Sequence, residues 1–243
     1  MKLGRLPKRN DKRNLKLKDY LSSLPAIPQS IDWSHGITDW EMFNNDTVGD
    51  CTCAGAAHLI MQWTANSGLE IVPSPADVLS AYSAITGYNP NDPSTDTGAN
   101  ELDVLNYWRQ NGIGNHKIGA YVSVDPSSID HVKATVYLFG GMYIGVQLPN
   151  SAMNQTNAKQ VWDIVADDGG IDGGHCVEIV AYDANGLTAV TWGALQKMTW
   201  RWWNKYVDEC YAVLSNDFLC GNGLTSNGFA LNALQQDLKE VSQ

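Results

Sequence analysis

The sequence predicts an α+β fold in which a helical half precedes a β half. Helical periodicity of apolar residues dominates up to about residue 115. Beyond it come short runs rich in Val, Ile and Tyr, bounded by Gly, Pro, Asn and Asp. The composition, with 44% hydrophobic and 17% charged residues and nine Trp, is typical of a globular chain. Two halves of this kind would meet along a cleft.

Three helices are predicted in the first half. The stretch TCAGAAHLIMQWTANSG, from Thr52, spaces its apolar residues by three and four and ends at a Gly. PSPADVLSAYSAIT begins with a Ser cap and a Pro in the first turn. ELDVLNYWRQNGI restarts a helix after the turn-rich loop GYNPNDPSTDTGAN, and Gly112 ends it.

Five strands are predicted in the second half: KIGAYVSVD, GMYIGVQLP, HCVEIVAYD, LTAVTWG and CYAVLS. The stretch SSIDHVKATVYLFGG, between the first two, predicts a helix. In MTWRWWNKYVDE, Thr199 is a candidate cap and the Trp residues follow helical spacing, which favours a buried structural helix over an aromatic binding shelf.

Charge divides the chain into a basic arm and an acidic body. Residues 1–18 contain eight Lys or Arg and one Asp and carry a net charge of +7. The remaining residues carry −17, which gives the whole chain its net charge of −10. Such a body should repel nucleic acid and membranes, whereas the arm could bind an acidic partner, fold back on its own body or remain a solvated tail. We expect a basic arm over 1–30 and one domain over 31–243, with a helical lobe (about 31–115), a β lobe (about 116–220) and a tail (221–243).

Targeting signals and cysteine usage favour the cytoplasm. The basic start lacks the apolar stretch of a signal peptide, and no segment reaches the roughly 18 apolar residues of a membrane span. Five cysteines, an odd number unevenly spread, fit a reducing compartment better than a disulfide framework. A Cys210–Cys220 pair is the alternative.

Cys51 and His175 are the candidate reactive pair. Cys51, in NNDTVGDCTCAGAAH, stands at a predicted helix N-terminus, which lowers the pKa of a thiol from about 8.5. His175 follows two glycines in GGHCVEIVAYD and begins an apolar strand, so another backbone can approach it and a rigid element holds it.

A zinc site is the competing interpretation of these residues. Cys51, Cys53, His175 and Cys176 are plausible ligands. However, Cys51 and Cys53 point to roughly opposite sides of a helix, and His175 and Cys176 alternate across a strand. We therefore expect no metal and no other cofactor, with Cys53 and Cys176 as small core residues.

The pattern resembles the papain-like cysteine peptidases, in a divergent form of bacterial or phage type. The family motif Gln-Gly-x-Cys-Gly-Ser-Cys-Trp-Ala, laid on residues 45–53, places Asn45 at the Gln and Cys51 at the nucleophile. SIDW resembles the start of the mature domain, HCVEIVAYD the strand of the catalytic His, TWG at 191–193 the Asn-Ser-Trp-Gly motif, and ECYAVLS the closing strand. Cys51 and His175 stand 124 positions apart, slightly below the family's roughly 130–150.

The resemblance implies a two-lobed fold with a helical N-terminal lobe, an antiparallel β-barrel-like C-terminal lobe and a cleft between them. It also implies that Cys51 attacks a peptide or protein substrate, that His175 is the base, and that Asn45 with the Cys51 N–H forms the oxyanion hole. Trp192 would shield the His. In strict register the family's orienting Asn falls on Val190, and Thr191 could replace it only if the backbone shifts.

Three functions are compatible with these residues. The leading one is a thiol hydrolase, a cysteine peptidase with a Cys–His dyad. The alternative is a weakened or inactive papain-fold binding or structural protein, associated with a phage or its virion. Acyl transfer to an amine would use the same residues as hydrolysis.

Overall fold

The computed structural model describes residues 1–21, 26–215 and 217–218, in which six α-helices accompany seven strands of a single antiparallel sheet. The helices are α1 (Cys51–Asn66), α2 (Pro75–Thr86), α3 (Glu101–Gln110), α4 (Ile129–Phe139), α5 (Asn150–Asn157) and α6 (Trp200–Tyr206). The strands are β1 (Ile31–Asp32), β2 (Ile118–Ser123), β3 (Met142–Pro149), β4 (Ile171–Tyr182), β5 (Gly186–Thr191), β6 (Ala194–Thr199) and β7 (Val207–Ser215).

The predicted helices begin and end near the capping residues and glycines that the sequence indicated. At the start of α2, Ser74 accepts from the Asp77 N–H and the Asp77 side chain accepts from the Ser74 N–H, which is a capping box. Gly87 ends α2 in the left-handed conformation. Thr199 caps α6 by accepting from the Trp202 N–H, so the predicted structural helix is confirmed.

The sheet places the last strand in its interior. Its order is β2-β7-β3-β4-β5-β6, with the short β1 paired to β4. Among the described residues the two end strands β2 and β6 do not pair with each other, so the sheet is open. A register shift lies in the pairing of β4 with β5, between Ile179 and Ala181.

Each face of the sheet packs on its own hydrophobic core. Cys176 and Val180 of β4 belong to the core beneath α1, α2 and α3, whereas Val177 and Ile179 belong to the core that includes α4 and α6. This alternation follows from the two-residue repeat of a strand. The helical lobe therefore lies against one face of the sheet, and the α+β prediction is confirmed.

Three elements were not predicted: α5, β6 and the two-residue β1. The sequence of α5, NSAMNQTN, has no apolar stripe, and β6 alternates too weakly to stand out. Within the described ranges, no helix has both the length and the apolar character needed to cross a membrane. Cys220 and the predicted tail 221–243 lie outside the described residues.

Glu178 of β4 makes the stability of the fold dependent on pH. Its side chain is fully buried and neither carboxylate oxygen has a hydrogen-bond partner, so burial raises its pKa well above the usual value. The carboxyl group is neutral in the folded protein, while in the unfolded chain it ionises above a pH of about 4.3. Raising the pH between these two pKa values stabilises the unfolded state by about 1.4 kcal/mol per unit.

We predict that the melting temperature of Glu178→Gln falls less between pH 5 and pH 8 than that of the wild type. The measurement is thermal unfolding followed by circular dichroism at each pH unit. Glu70→Gln, which changes an exposed carboxyl, should keep the wild-type pH dependence. Parallel curves for the wild type and Glu178→Gln would contradict an unpaired buried carboxyl.

Candidate active site

Cys51 is the first residue of α1 and lies beneath other parts of the chain. It is 1% exposed. Burial raises the pKa of its thiol to about 12, although the backbone N–H groups of Cys176 and Gly4, which hydrogen-bond to it, act in the opposite direction. The contact with the Cys176 N–H brings Cys51 to the part of β4 that carries His175.

His175 is held by two residues at the end of β5. Its Nε2 lies 2.7 Å from Thr191 Oγ1, and its ring stacks on Trp192 with centroids 4.3 Å apart and planes 15° apart. Nδ1 has no hydrogen-bond partner. Burial, with smaller contributions from the positive charge of Arg5 and from His58, lowers the pKa of His175 to about 3. The imidazole is therefore neutral.

Strand geometry explains why Thr191, and not Val190, meets His175. Val190 belongs to the core under the helices, so its neighbour Thr191 points to the other face. His175 likewise alternates with Cys176. The count that places the family's Asn at Val190 runs back from Trp192-Gly193 along β5, whereas the side chain that meets His175 is that of the next residue, Thr191.

Trp192 reaches His175 through a strained turn. Trp192 and Gly193 join β5 to β6, and both have positive φ, 46° and 69°. Two-residue hairpin turns favour such angles, but a Trp adopts them rarely. A Cβ at Gly193 would come within 2.6 Å of the Trp40 carbonyl oxygen, so this position requires glycine. The strain keeps the indole over the imidazole.

The Asn45 side chain is engaged within its own loop. It is buried, and its amide donates to the Val48 carbonyl (3.0 Å) and to Asp50 Oδ1 (3.3 Å). Burial raises the pKa of Asp50 to about 8, despite the lowering effect of the Asn45 hydrogen bond. Asp50 is therefore largely protonated at neutral pH. An oxyanion contact from Asn45 would require one of these two hydrogen bonds to be released.

A second loop, which the motif did not indicate, fixes the turn before Cys51. The carboxylate of Asp96 accepts from the Gly49 N–H (3.0 and 3.1 Å) and from the Tyr82 hydroxyl (2.6 Å). Tyr82 in turn accepts from the Gly98 N–H (2.9 Å). Only the density of Asp, Asn and Gly in the loop from residue 87 to 100 hinted at such a role.

The remaining cysteines pack as small core side chains. Cys53 and Cys176 are buried in the core beneath the helices, and Cys210 in the core on the opposite face. Within the ranges that the structure describes, no three His, Cys, Asp or Glu side chains are placed to hold a metal ion.

The first six residues, which we name the strap, run through the space between the helical lobe and the sheet. Backbone hydrogen bonds join Lys2 N to Asn45 O (2.9 Å), Arg5 N to Gly174 O (3.1 Å), Leu6 N to Ala99 O (2.9 Å) and Ala99 N to Gly4 O (2.8 Å). Trp192 Nε1 also donates to the Lys2 carbonyl (3.2 Å). The strap thus touches the loop before Cys51, the start of α3 and the residue before His175.

Glycines make room for the strap. A Cβ at Gly174 would lie 2.3 Å from the Arg5 carbonyl oxygen, and one at Gly98 would lie 2.3 Å from the Gly4 carbonyl oxygen. A Cβ at Gly4 itself would lie 1.8 Å from the Gly49 carbonyl oxygen. The pair GG before His175, noted in the sequence, therefore admits the chain's own N-terminus.

The fold resembles solved structures of cysteine proteases. Xylellain, a cysteine protease from Xylella fastidiosa, superposes with a TM-score of 0.69 at 18% identity, over 88% of this chain and 96% of that one. Procathepsin B S9 from Trypanosoma congolense gives 0.59 at 13%, over 88% and 87%. Procathepsin L 3 from the larval midgut of Tenebrio molitor gives 0.58 at 11%, over 83% and 76%. No protein-family model and no curated protein matches the chain.

These likenesses establish the architecture of the chain. It has the papain-like cysteine peptidase fold, with the helical lobe and the antiparallel sheet that the motifs implied. At identities of 11–18% the comparisons establish the fold only. Any catalytic chemistry must be inferred from the residues of this chain.

We predict that Gly4→Ala displaces the strap and accelerates alkylation of Cys51 by iodoacetamide at pH 7 by about tenfold or more. The added Cβ clashes with the Gly49 carbonyl, and about 1.4 kcal/mol of strain in the closed form multiplies the open population about tenfold. Peptide mass spectrometry measures the rate at Cys51 alone.

Leu6→Ala is the matched control, since it shortens a side chain of the same strap that is 42% exposed. It should react at the wild-type rate. Equal rates for Gly4→Ala and Leu6→Ala would show that the strap does not limit access to the thiol.

Proposed function

We propose that the chain is a thiol hydrolase that cleaves peptide or amide bonds with Cys51 and His175, held latent by its own strap. The observation that carries this proposal is the arrangement of His175. Its Nε2 is bound by Thr191, its ring is covered by Trp192, its Nδ1 has no hydrogen-bond partner, and the backbone of the next residue, Cys176, contacts the Cys51 thiol.

The hydrogen bond to Thr191 is compatible with the tautomer of His175 that catalysis requires. If Nε2–H donates to Thr191 Oγ1, the lone pair lies on Nδ1, which can then accept the proton of the Cys51 thiol. The thiolate would attack the substrate carbonyl, and the protonated imidazole would pass its proton to the leaving amine. Water would then hydrolyse the thioester and release the acid and the free thiol.

The Cys51 backbone N–H is the first candidate to stabilise the oxyanion. As the opening residue of α1, it has no acceptor within the helix. Asn45 is the second candidate, on condition that its amide exchanges the bond to Val48 or Asp50 for one to the substrate. The longer of these bonds, to Asp50 Oδ1, is the weaker one.

The strap opposes both the binding of substrate and the ionisation of the pair. It fills the cleft over Cys51, where burial raises the thiol pKa, and its Arg5 charge lowers the pKa of His175. A thiolate–imidazolium pair is unfavourable under these conditions. Displacing the strap would admit water and remove the Arg5 charge, which moves both pKa values toward the active range.

A binding protein without hydrolytic activity is the second candidate function. It is favoured by the Asn45 amide, which is engaged inside its loop, and by Val190 at the place where the family motif has Asn. In that case the cleft would hold the strap as a permanent part of the fold.

The test is the pH profile of Cys51 alkylation between pH 4 and 9 in Gly4→Ala. We expect a reactive thiolate at pH 6, and we expect His175→Ala in the same background to return the midpoint to about 8.5. The buried Cys53 and Cys176, read from the same digest, are internal controls for unfolding. A midpoint near 8.5 that His175→Ala leaves unchanged would favour the binding protein.

We further predict that Thr191→Val in the Gly4→Ala background lowers kcat for a fluorogenic peptide about tenfold or more with little change in KM. The substitution keeps the volume but removes the oxygen that hydrogen-bonds His175 Nε2 and orients its ring. Thr191→Ser keeps the hydroxyl and should retain most of the activity. Equal rates for the Val and Ser variants would exclude Thr191 as a positioning residue.

A further inference from the structure

The side chain of Arg5 enters a closed acidic recess beside the strap. The guanidinium is completely buried. Nη2 lies 2.6 Å from Asp208 Oδ1 and 2.7 Å from Glu209 Oε2, and Nε lies 3.1 Å from Glu101 Oε1. We name this set of three carboxyl groups, together with Gly145, the acidic recess.

The body of the protein holds the acidic recess in place without help from the strap. The Tyr211 hydroxyl donates to Glu209 Oε1 (2.5 Å), and Gln147 Nε2 donates to Asp208 Oδ2 (2.8 Å). Gly145 of β3 forms one wall, where a Cβ would come within 2.1 Å of Arg5 Nε. The recess is therefore a shaped cavity for a planar cation, with its acceptors already oriented.

Arg5 does not satisfy the hydrogen-bonding capacity of every carboxyl group in the acidic recess, as Glu101 shows. Its carboxyl group, at the first position of α3, is fully buried. Its contact with Arg5 Nε does not have hydrogen-bond geometry, and neither of its oxygens has a hydrogen-bond partner. Three carboxyl groups thus converge on one guanidinium, an arrangement that stability alone does not call for, since buried ion pairs often cost as much as they contribute.

The acidic recess lies one residue away from the reacting thiol. Gly4, the neighbour of Arg5, directs its N–H at the Cys51 sulfur. The Arg5 N–H donates to the carbonyl of Gly174, the residue before His175. A peptide that lay in the cleft as the strap does would therefore place one side chain in the recess and the residue before it at Cys51.

We propose that the acidic recess is the specificity site of the hydrolase and selects an arginine side chain of the substrate, which Arg5 imitates in the closed state. The proposal rests on the proposed function. Arginine matches the recess better than lysine, because its fork can engage two carboxylates at once. A neutral side chain would leave buried carboxylates unpaired, which is the strongest basis for rejecting a substrate.

The experiment uses the full chain carrying Gly4→Ala and internally quenched peptides that contain Gly-X-Gly, in which X is Arg, Lys, citrulline or norleucine, so that a Gly can reach Cys51 in either chain direction. Citrulline has the shape of arginine without the charge. We expect kcat/KM to be at least about 100-fold higher for Arg than for citrulline, with Lys between them. Glu209→Gln should reduce the preference for Arg over norleucine about tenfold or more, because it removes a partner of the guanidinium and one of the carboxylates that a neutral side chain leaves unpaired.

Asp172→Asn is the matched control, because it removes an exposed carboxyl from β4 outside the acidic recess. It should not change the preference. If Gly4→Ala is unstable, Arg5→Gln releases the strap by removing its charged anchor, and the same four peptides apply.

A second readout does not depend on turnover: the four peptides are also tested for protection of Cys51 from alkylation. Selective protection by the Arg peptide without cleavage would support the acidic recess and reject the hydrolase. Equal protection and equal cleavage by the Arg and citrulline peptides would overturn the proposal. Protection by a peptide of the strap sequence MKLGRLPK alone, with none by the short Arg peptide, would also overturn it, since the recess would then serve only as an anchor.

Discussion

The contact between α1 and β4 is the interaction on which the candidate site depends. The helix packs directly on the strand, since a Cβ at Gly55 would be in ordinary van der Waals contact, at 3.5 Å, with Cys176 Sγ and the Tyr143 ring. The Tyr143 hydroxyl donates to the Thr52 carbonyl (2.7 Å) and ties the same turn of the helix to β3. Because Cys51 begins α1 and His175 lies in β4, this packing alone brings the thiol and the imidazole into one region.

Burial then sets the electrostatics of that region. Carboxyl, thiol and imidazole groups without water all favour their neutral forms, and the shifts at Asp50, Cys51 and His175 follow this rule. The helix N-terminus and two backbone N–H groups favour a thiolate, but they act against a larger desolvation effect while the strap is in place. Ionisation of Cys51 and His175 is therefore coupled to displacement of the first six residues.

The acidic recess and the strained Trp192 turn illustrate how the structure retains unfavourable local features at the same site. Arg5 contacts the buried Glu101 and Glu209 and the half-buried Asp208, and Tyr211 and Gln147 donate hydrogen bonds to Glu209 and Asp208. The left-handed Trp192 covers His175 and also binds the strap at Lys2. Such features persist only where the surroundings over-determine them, and they cluster at functional sites.

The sequence by itself determined the helices, most strands and the location of Cys51 and His175. These features depend on periodicity, caps and glycine stops, which act within one or two turns of chain; the Ser74–Asp77 box and the end of α2 at Gly87 are examples. The family motif added the two-lobed architecture, which the similar solved structures bear out.

Only the tertiary structure decided which residue faces His175, how the Asn45 amide is used and where the basic arm lies. The motif count indicated Val190, whereas Thr191 meets His175, because the two residues point to opposite faces of the sheet. The partners of Arg5 at Asp208 and Glu209 are more than 200 residues away. Contacts between such distant segments are specified by packing of the whole chain, which is why periodicity and spacing could not predict them.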